Sequence, residues 1–190
     1  MNLDRGVEVR IITGKYKKRH IETLQNRDTR PTSEKIRESM FSSIGEIVRG
    51  DVLDLFAGSG ALGIEALSRG AESCIFVDGA KDAIKIIHQN TKGIEEDVEI
   101  YRTDFKRALK ALSKRGKQMD LIFLDPPYKK KLIDKSLELI KEYNILKENG
   151  LIITEAHIDE TIDLKGFNEW KHHEMGTIQY KILTTEENHG

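Results

Sequence analysis

Short apolar runs and amphipathic stretches take turns along most of this chain. Apolar runs at 52–56, 73–77, 98–102, 121–124 and 151–154 predict strands. Between them, residues 60–69, 80–91, 105–114 and 131–143 carry apolar positions at helical spacing. Strands that alternate with helices predict a parallel sheet covered on both faces. The rhythm breaks after residue 160, where two strands near 167–174 and 177–184 are close enough to pair as a hairpin. The expected fold is therefore α/β, a doubly wound and mostly parallel sheet with an antiparallel hairpin at one edge.

The first fifty residues read differently. Residues 7–13 alternate as a strand, and Gly14-Lys15 can turn the chain into a second extended segment near 20–24. Ile36, Met40, Phe41 and Ile44 then follow at helical spacing behind Pro31, with Thr32 or Ser33 placed to cap the helix. Gly45 or Gly50 marks its end. The chain divides into a small β extension at 1–30 and a main domain at 31–190.

Composition adds little to this picture, but charge distribution does. No apolar run approaches the ~20 residues of a membrane span, and the first twenty residues hold no apolar signal core. The single cysteine, Cys74, excludes an internal disulfide; these features together predict a cytoplasmic protein. Net charge is only −1. Residues 14–37 nevertheless carry eight Lys/Arg against three acids, a local net of +5, while residues 51–190 carry 20 basic and 25 acidic side chains. A basic arm on a neutral body suits a protein that grips phosphate in one place; a solvated surface arm is the alternative.

The chemistry is concentrated in two segments. The first is Asp54-Leu55-Phe56-Ala57-Gly58-Ser59-Gly60-Ala61-Leu62-Gly63, which follows a strand and opens a helix. Gly58 and Gly60 allow a tight turn close to a ligand, and Gly63 allows the helix to approach the strand. Asp54 at the start of the loop would repel a pyrophosphate but suits the ammonium end of S-adenosylmethionine. Asp78 ends the next strand, 18 residues beyond Gly60, where an acid can accept from both ribose hydroxyls. Asp104 either accepts from an adenine amino group or caps the following helix. Phe105 is placed to flank the adenine, and Phe56 lies in the loop itself.

The second segment is Asp125-Pro126-Pro127-Tyr128, behind the apolar run at 121–124. It falls at the carboxyl end of a central strand, where doubly wound sheets bind ligands. An exocyclic base amine is a poor nucleophile because its lone pair is delocalised into the ring. Two acceptors on its N–H groups can hold that lone pair toward a methyl donor. The Asp125 carboxylate and the Pro126 carbonyl supply such a pair, and Tyr128 can stack on the base, a contact worth roughly 1–3 kcal/mol. A base in a helix would have to be flipped out to reach the site. This chemistry needs no metal, and the six histidines form no ligand set. Cys74 reads as packing, as do Trp170 and Tyr180 in the edge hairpin. His20 lies in the basic arm, and Glu155 sits beside the site either as support or as a base contact.

DLFAGSGALGIEALSRG (54–70) with LDPPY (124–128) resembles Rossmann-like class I amino-methyltransferases in general. RIITGKY (10–16), RPTSEKIRESMF (30–41) and FVDGA (76–80) narrow the likeness to one family, the bacterial 16S rRNA guanine-N2 methyltransferases (RsmD-like). The resemblance runs from about Arg10 to the last hairpin. It implies a seven-stranded sheet, S-adenosylmethionine as cofactor, and one guanine of 16S rRNA, guanine 966, in the small ribosomal subunit or its assembly intermediate. It implies that Asp54, Phe56, Gly58, Gly60, Asp78, Asp104 and Phe105 bind the cofactor and that Asp125 to Tyr128 hold the amine. Arg10, Lys15, Lys17, Lys18, Arg19, Arg30 and Arg37 become the expected RNA contacts, in a protein expected to be a monomer. One departure stands out: the family's usual glycine before the hairpin arginine is Lys18 here. The rival readings are a DNA adenine-N6 methyltransferase, a protein-glutamine methyltransferase, and a non-catalytic RNA-binding assembly factor.

Overall fold

The computed structural model describes residues 8–24, 33–128 and 131–185. Two short strands, β1 (Val9–Arg10) and β2 (His20–Ile21), pair antiparallel. Helix α1 (Glu34–Ile44) begins where the Ser33 hydroxyl accepts the Ile36 N–H at 3.2 Å, which settles the cap on Ser33. The α/β series then runs β3 (Asp51–Asp54), α2 (Ala61–Ser68), β4 (Ser73–Asp78), α3 (Lys81–Asn90), β5 (Asp97–Arg102), α4 (Phe105–Lys114), β6 (Met119–Leu124), α5 (Leu132–Glu142) and β7 (Leu146–His157). The hairpin β8 (Asn168–Met175) and β9 (Ile178–Thr184) completes it.

The seven strands of the main sheet lie in the order β5-β4-β3-β6-β7-β9-β8. The first five are parallel; β9 inserts antiparallel beside β7 and leaves β8 at the edge. This is the doubly wound sheet that the alternation predicts. The central strands are apolar on both faces because both are covered. Phe41 of α1, Phe76 of β4 and Phe123 of β6 belong to one core layer, with the Phe41 and Phe123 rings 5.7 Å apart. Leu109 of α4, Leu137 and Ile140 of α5, and Ile122 of β6 form the other. Each such side chain, fully buried, contributes about 1.5–3 kcal/mol.

Two local features depart from the sequence reading. β7 starts at Leu146, five residues before the predicted strand, and its register against β6 shifts between Met119 and Leu121. Asn149 in that stretch has a φ of 64°, so the early part of the strand is irregular and carries no apolar pattern. The hairpin of β1 and β2 is not a free arm: Val9, Ile11 and Ile21 are buried in the same layer as Phe41 and Leu67. The boundary drawn at residues 30–31 lies outside the described residues. Among the described residues, no helix is long and apolar enough to cross a membrane.

The hairpin turn is bolted to the end of α2. The Lys15 N–H donates to the Ser68 carbonyl at 2.8 Å, and the Ser68 hydroxyl donates to the Thr13 carbonyl at 2.6 Å. Gly14 has a φ of 95°, and a Cβ there would lie 2.0 Å from the Ser68 carbonyl oxygen. Only glycine fits this approach.

Candidate active site

The carboxyl ends of β3, β4 and β6 open onto a cavity of about 330 Å³. Its walls include Phe56, Gly58, Asp78, Asp104, Phe105 and Asp125. The loop from β3 to α2 forms the floor, because the parallel sheet aims that loop and the ends of β4 and β6 at one crevice. Asp78 fixes the loop: its carboxylate accepts the Gly58 N–H at 3.0 Å and the Ala80 N–H at 2.9 Å. Phe56 and Phe105 face each other with ring centroids 5.4 Å apart. Asp104 caps α4 by accepting the Arg107 N–H at 2.9 Å and still lines the cavity. The capping alternative is therefore observed, at a residue that also lines the cavity.

Asp54 and Gly60 are not on the cavity wall. Asp54 is buried behind the loop, where its carboxylate accepts the Gly63 N–H at 3.1 Å in the first turn of α2. Burial and the nearby Asp78 carboxylate push its pKa up to about 7. At this depth Asp54 holds the start of α2, and its expected role toward the cofactor's ammonium, directly or through water, is a matter for the proposal below. Gly60 is the residue before α2, and Gly63 confirms its expected packing role, since a Cβ there would fall 2.4 Å from the Phe76 ring.

The Asp125–Tyr128 turn stands between this cavity and a second one of about 470 Å³. Pro127 and Leu132 line both, while Pro126 and Glu155 line only the second. Tyr128 lines neither. Its hydroxyl donates to Glu155 at 3.3 Å, and its ring meets His157 edge-on at 6.3 Å. Burial, with the Glu155 and Asp125 carboxylates, pushes the phenol well above its ordinary pKa, so it stays protonated as a donor. Tyr128 thus buttresses Glu155 in this structure.

The expected RNA contacts separate into distinct groups. Lys17 and Lys18 are exposed, and neither forms an ion pair among the described residues. Lys15 pairs with Glu95 at 2.7 Å and Glu96 at 3.2 Å, and Arg10 pairs with Glu8 at 2.7 Å. Arg19 donates to the Asn90 carbonyl at 3.1 Å and to the Lys92 carbonyl, capping the end of α3. Arg37 is fully buried and donates to the Arg10 carbonyl at 2.6 Å. It ties α1 to the hairpin and is withdrawn as an RNA contact. Arg30 lies outside the described residues. Lys18 has a φ of 71°, which explains why a glycine suits this position.

Three contributors escaped the sequence reading. Thr23 and Leu24, just after β2, line the first cavity. Asn90 connects them to its floor: the side-chain amide donates to the Ser59 carbonyl at 2.8 Å and the Glu22 carbonyl at 2.9 Å, and accepts the Glu22 N–H at 3.0 Å. Leu24 was the visible signal, an apolar residue in a basic arm.

The family described as conserved hypothetical protein 95 matches residues 9–184. The chain belongs to this family. A Bacillus subtilis protein provisionally named an rRNA methyltransferase is 47% identical over 77% of this chain and 82% of its own length. Ribosomal RNA small subunit methyltransferase D of Buchnera aphidicola (subspecies Baizongia pistaciae) is 40% identical over 77% and 75%. A solved Escherichia coli structure, provisionally named a methyltransferase, superposes with a TM-score of 0.79 at 25% identity, covering 93% of this chain and 97% of that one. The fold expected from the sequence, that of Rossmann-like methyltransferases, is the fold of the family.

Proposed function

We propose that this protein methylates the exocyclic N2 amine of a guanine in 16S rRNA, guanine 966 by family resemblance, with S-adenosylmethionine as donor. The substrate is the small ribosomal subunit or its assembly intermediate, met in the cytoplasm by a monomeric enzyme. The observation that carries the reading is the position of the Asp125–Tyr128 turn. Asp125 lines the first of two adjoining cavities, Pro126 the second, and Pro127 both.

The first cavity fits the donor by its donor and acceptor set. Asp78 offers a carboxylate on the wall already held by two loop amides. Phe56 and Phe105 offer apolar faces for a purine, and Asp104 offers an acceptor at the same end. S-adenosylmethionine, when bound, supplies a methyl group on a positively charged sulfur. Asp125 accepts one amine N–H and the Pro126 carbonyl accepts the other, which turns the nitrogen lone pair toward that methyl. Nitrogen gains the methyl carbon, the carbon–sulfur electron pair stays on sulfur, and one N–H proton leaves through the Asp125 carboxylate to solvent. Proximity and alignment supply most of the acceleration. Lys17 and Lys18 project from the hairpin as the exposed cations for the RNA backbone.

The test is transfer of tritiated methyl onto small subunits from a strain lacking the gene, followed by nucleoside analysis. N2-methylguanosine at one site is expected. Asp125→Ala should lower the rate by at least ~10²-fold while S-adenosylhomocysteine still binds. N6-methyladenosine as product would replace the guanine assignment, and absence of transfer to subunits, naked rRNA and DNA would sink the reading.

A further inference from the structure

Glu155 is an ionisable side chain at a place where burial of charge is costly. It is 3% exposed and sits on β7 directly beyond Thr154, which pairs with Leu124 of β6. Asp125 directly follows Leu124, so the two carboxylates leave adjacent central strands at the same level. Glu155 lines the 470 Å³ cavity with Pro126, Pro127, Leu132, Thr161 and Ile162. Pro126, Pro127, Leu132 and Ile162 give this cavity an apolar side for a flat ring, while Lys131, Asp134, Glu160 and Asp163 also line it; the Glu155 carboxylate is held by the Tyr128 hydroxyl at 3.3 Å. A carboxylate accepts several hydrogen bonds at once, so the Tyr128 hydroxyl and a base N–H can share it.

We infer that this second cavity receives the target base and that Glu155 selects guanine by accepting its N1–H. The inference rests on the reading above and names what that reading leaves to resemblance, the choice of base. On guanine, N1–H lies beside the N2 amine on the Watson–Crick edge, so a base whose amine is held by Asp125 and Pro126 presents N1–H next to them. Adenine carries a lone pair at N1 and no amine at C2. A buried carboxylate gains a charge-assisted bond from the first and meets repulsion from the second. Sites built to satisfy a substrate donor reject analogues that lack it by large factors, because the site's own polar group is left unpaired.

The experiment uses small subunits reassembled with ligated 16S rRNA carrying either guanine or 2-aminopurine at the target. 2-Aminopurine keeps the amine but has an acceptor at N1. The wild-type enzyme should favour guanine in kcat/KM by at least ~10²-fold. Glu155→Gln presents an amide that can donate to an N1 lone pair. It should lose ~10-fold or more on guanine and gain on 2-aminopurine, collapsing or reversing the ratio, with S-adenosylhomocysteine affinity unchanged. A purely structural role would lower both substrates together and leave the ratio intact, which would overturn the inference. So would a wild-type enzyme indifferent to the two bases, a result that needs no variant to fold. A wild-type enzyme that makes no N2-methylguanosine at all refutes the underlying reading; one that makes it with an unchanged ratio in Glu155→Gln refutes only the role of Glu155.

Discussion

At the scale of single residues, depth decides role more than identity does. Asp54 and Asp125 are both acids at strand ends, yet one is sealed behind the loop and the other lines the cavity. Asp54 carries a measurable signature. Its folded pKa of about 7 lies above the unfolded value of ~3.9, so the folded state holds its proton more tightly. Stability from this group is therefore complete at low pH and is lost as pH rises from about 4 through about 7. Asp54→Asn keeps an acceptor for the Gly63 N–H and removes the charge. Urea unfolding should show the variant gaining on the wild type by about 3 kcal/mol between pH 4.5 and pH 8. An unchanged difference across that window would mean Asp54 is not buried in the charged state. Sequence could place Asp54 beside the loop, but not tell a wall from a foundation. Arg37 shows the same gap, since a charge count cannot distinguish an exposed arginine from one inside the core.

At the scale of elements, the contact of α2 with β4 sets the shape of the cofactor loop. Gly63 permits it: an added Cβ would meet the Phe76 ring at 2.4 Å and the Cys74 sulfur at 2.7 Å, both in the packed core. Gly63→Ala should cost about 1–3 kcal/mol of stability by overpacking and weaken cofactor binding as the loop shifts. Chemical denaturation and calorimetric titration with S-adenosylhomocysteine would read the two effects, and wild-type values for both would remove the packing argument. This role was legible in advance because a glycine one turn into a helix after a strand has few other uses. The early part of β7 was not legible. Lys147, Glu148 and Asn149 carry no alternating apolar pattern, and the residue at 149 is left-handed. The Thr23–Leu24 wall was equally hidden, since tertiary bonds such as those of Asn90 to Glu22 and Ser59 connect it to the cavity floor.

At the scale of the whole molecule, the regular α/β series was readable from periodicity alone, and the hairpin's docking was not. Four of the expected RNA contacts are engaged within the fold: Lys15 and Arg10 with acids, Arg19 with the end of α3, and Arg37 inside the core. Lys17 and Lys18 are the exposed cations left among the described members of that set, and are therefore the proposed phosphate contacts. Replacing both with Glu should weaken subunit binding and reduce the salt slope by about 1–2, while S-adenosylhomocysteine affinity stays at the wild-type value. A salt slope equal to that of the wild type would move the RNA contact elsewhere. Arg19 is unsuited to this test, because its loss would also remove its bonds to the end of α3.

The strand order has one more result. The sheet ends in β5 on one side and β8 on the other, with sequences DVEIYR and NEWKHHEM. An unpaired strand edge is a template on which another chain can polymerise. Here both borders are studded with ionisable side chains, and on β5 Glu99 is engaged by Arg115 at 3.1 Å. A strand added at either border would strip water from those groups. The broad sheet that supports the two cavities is thus fenced against growing into a fibre.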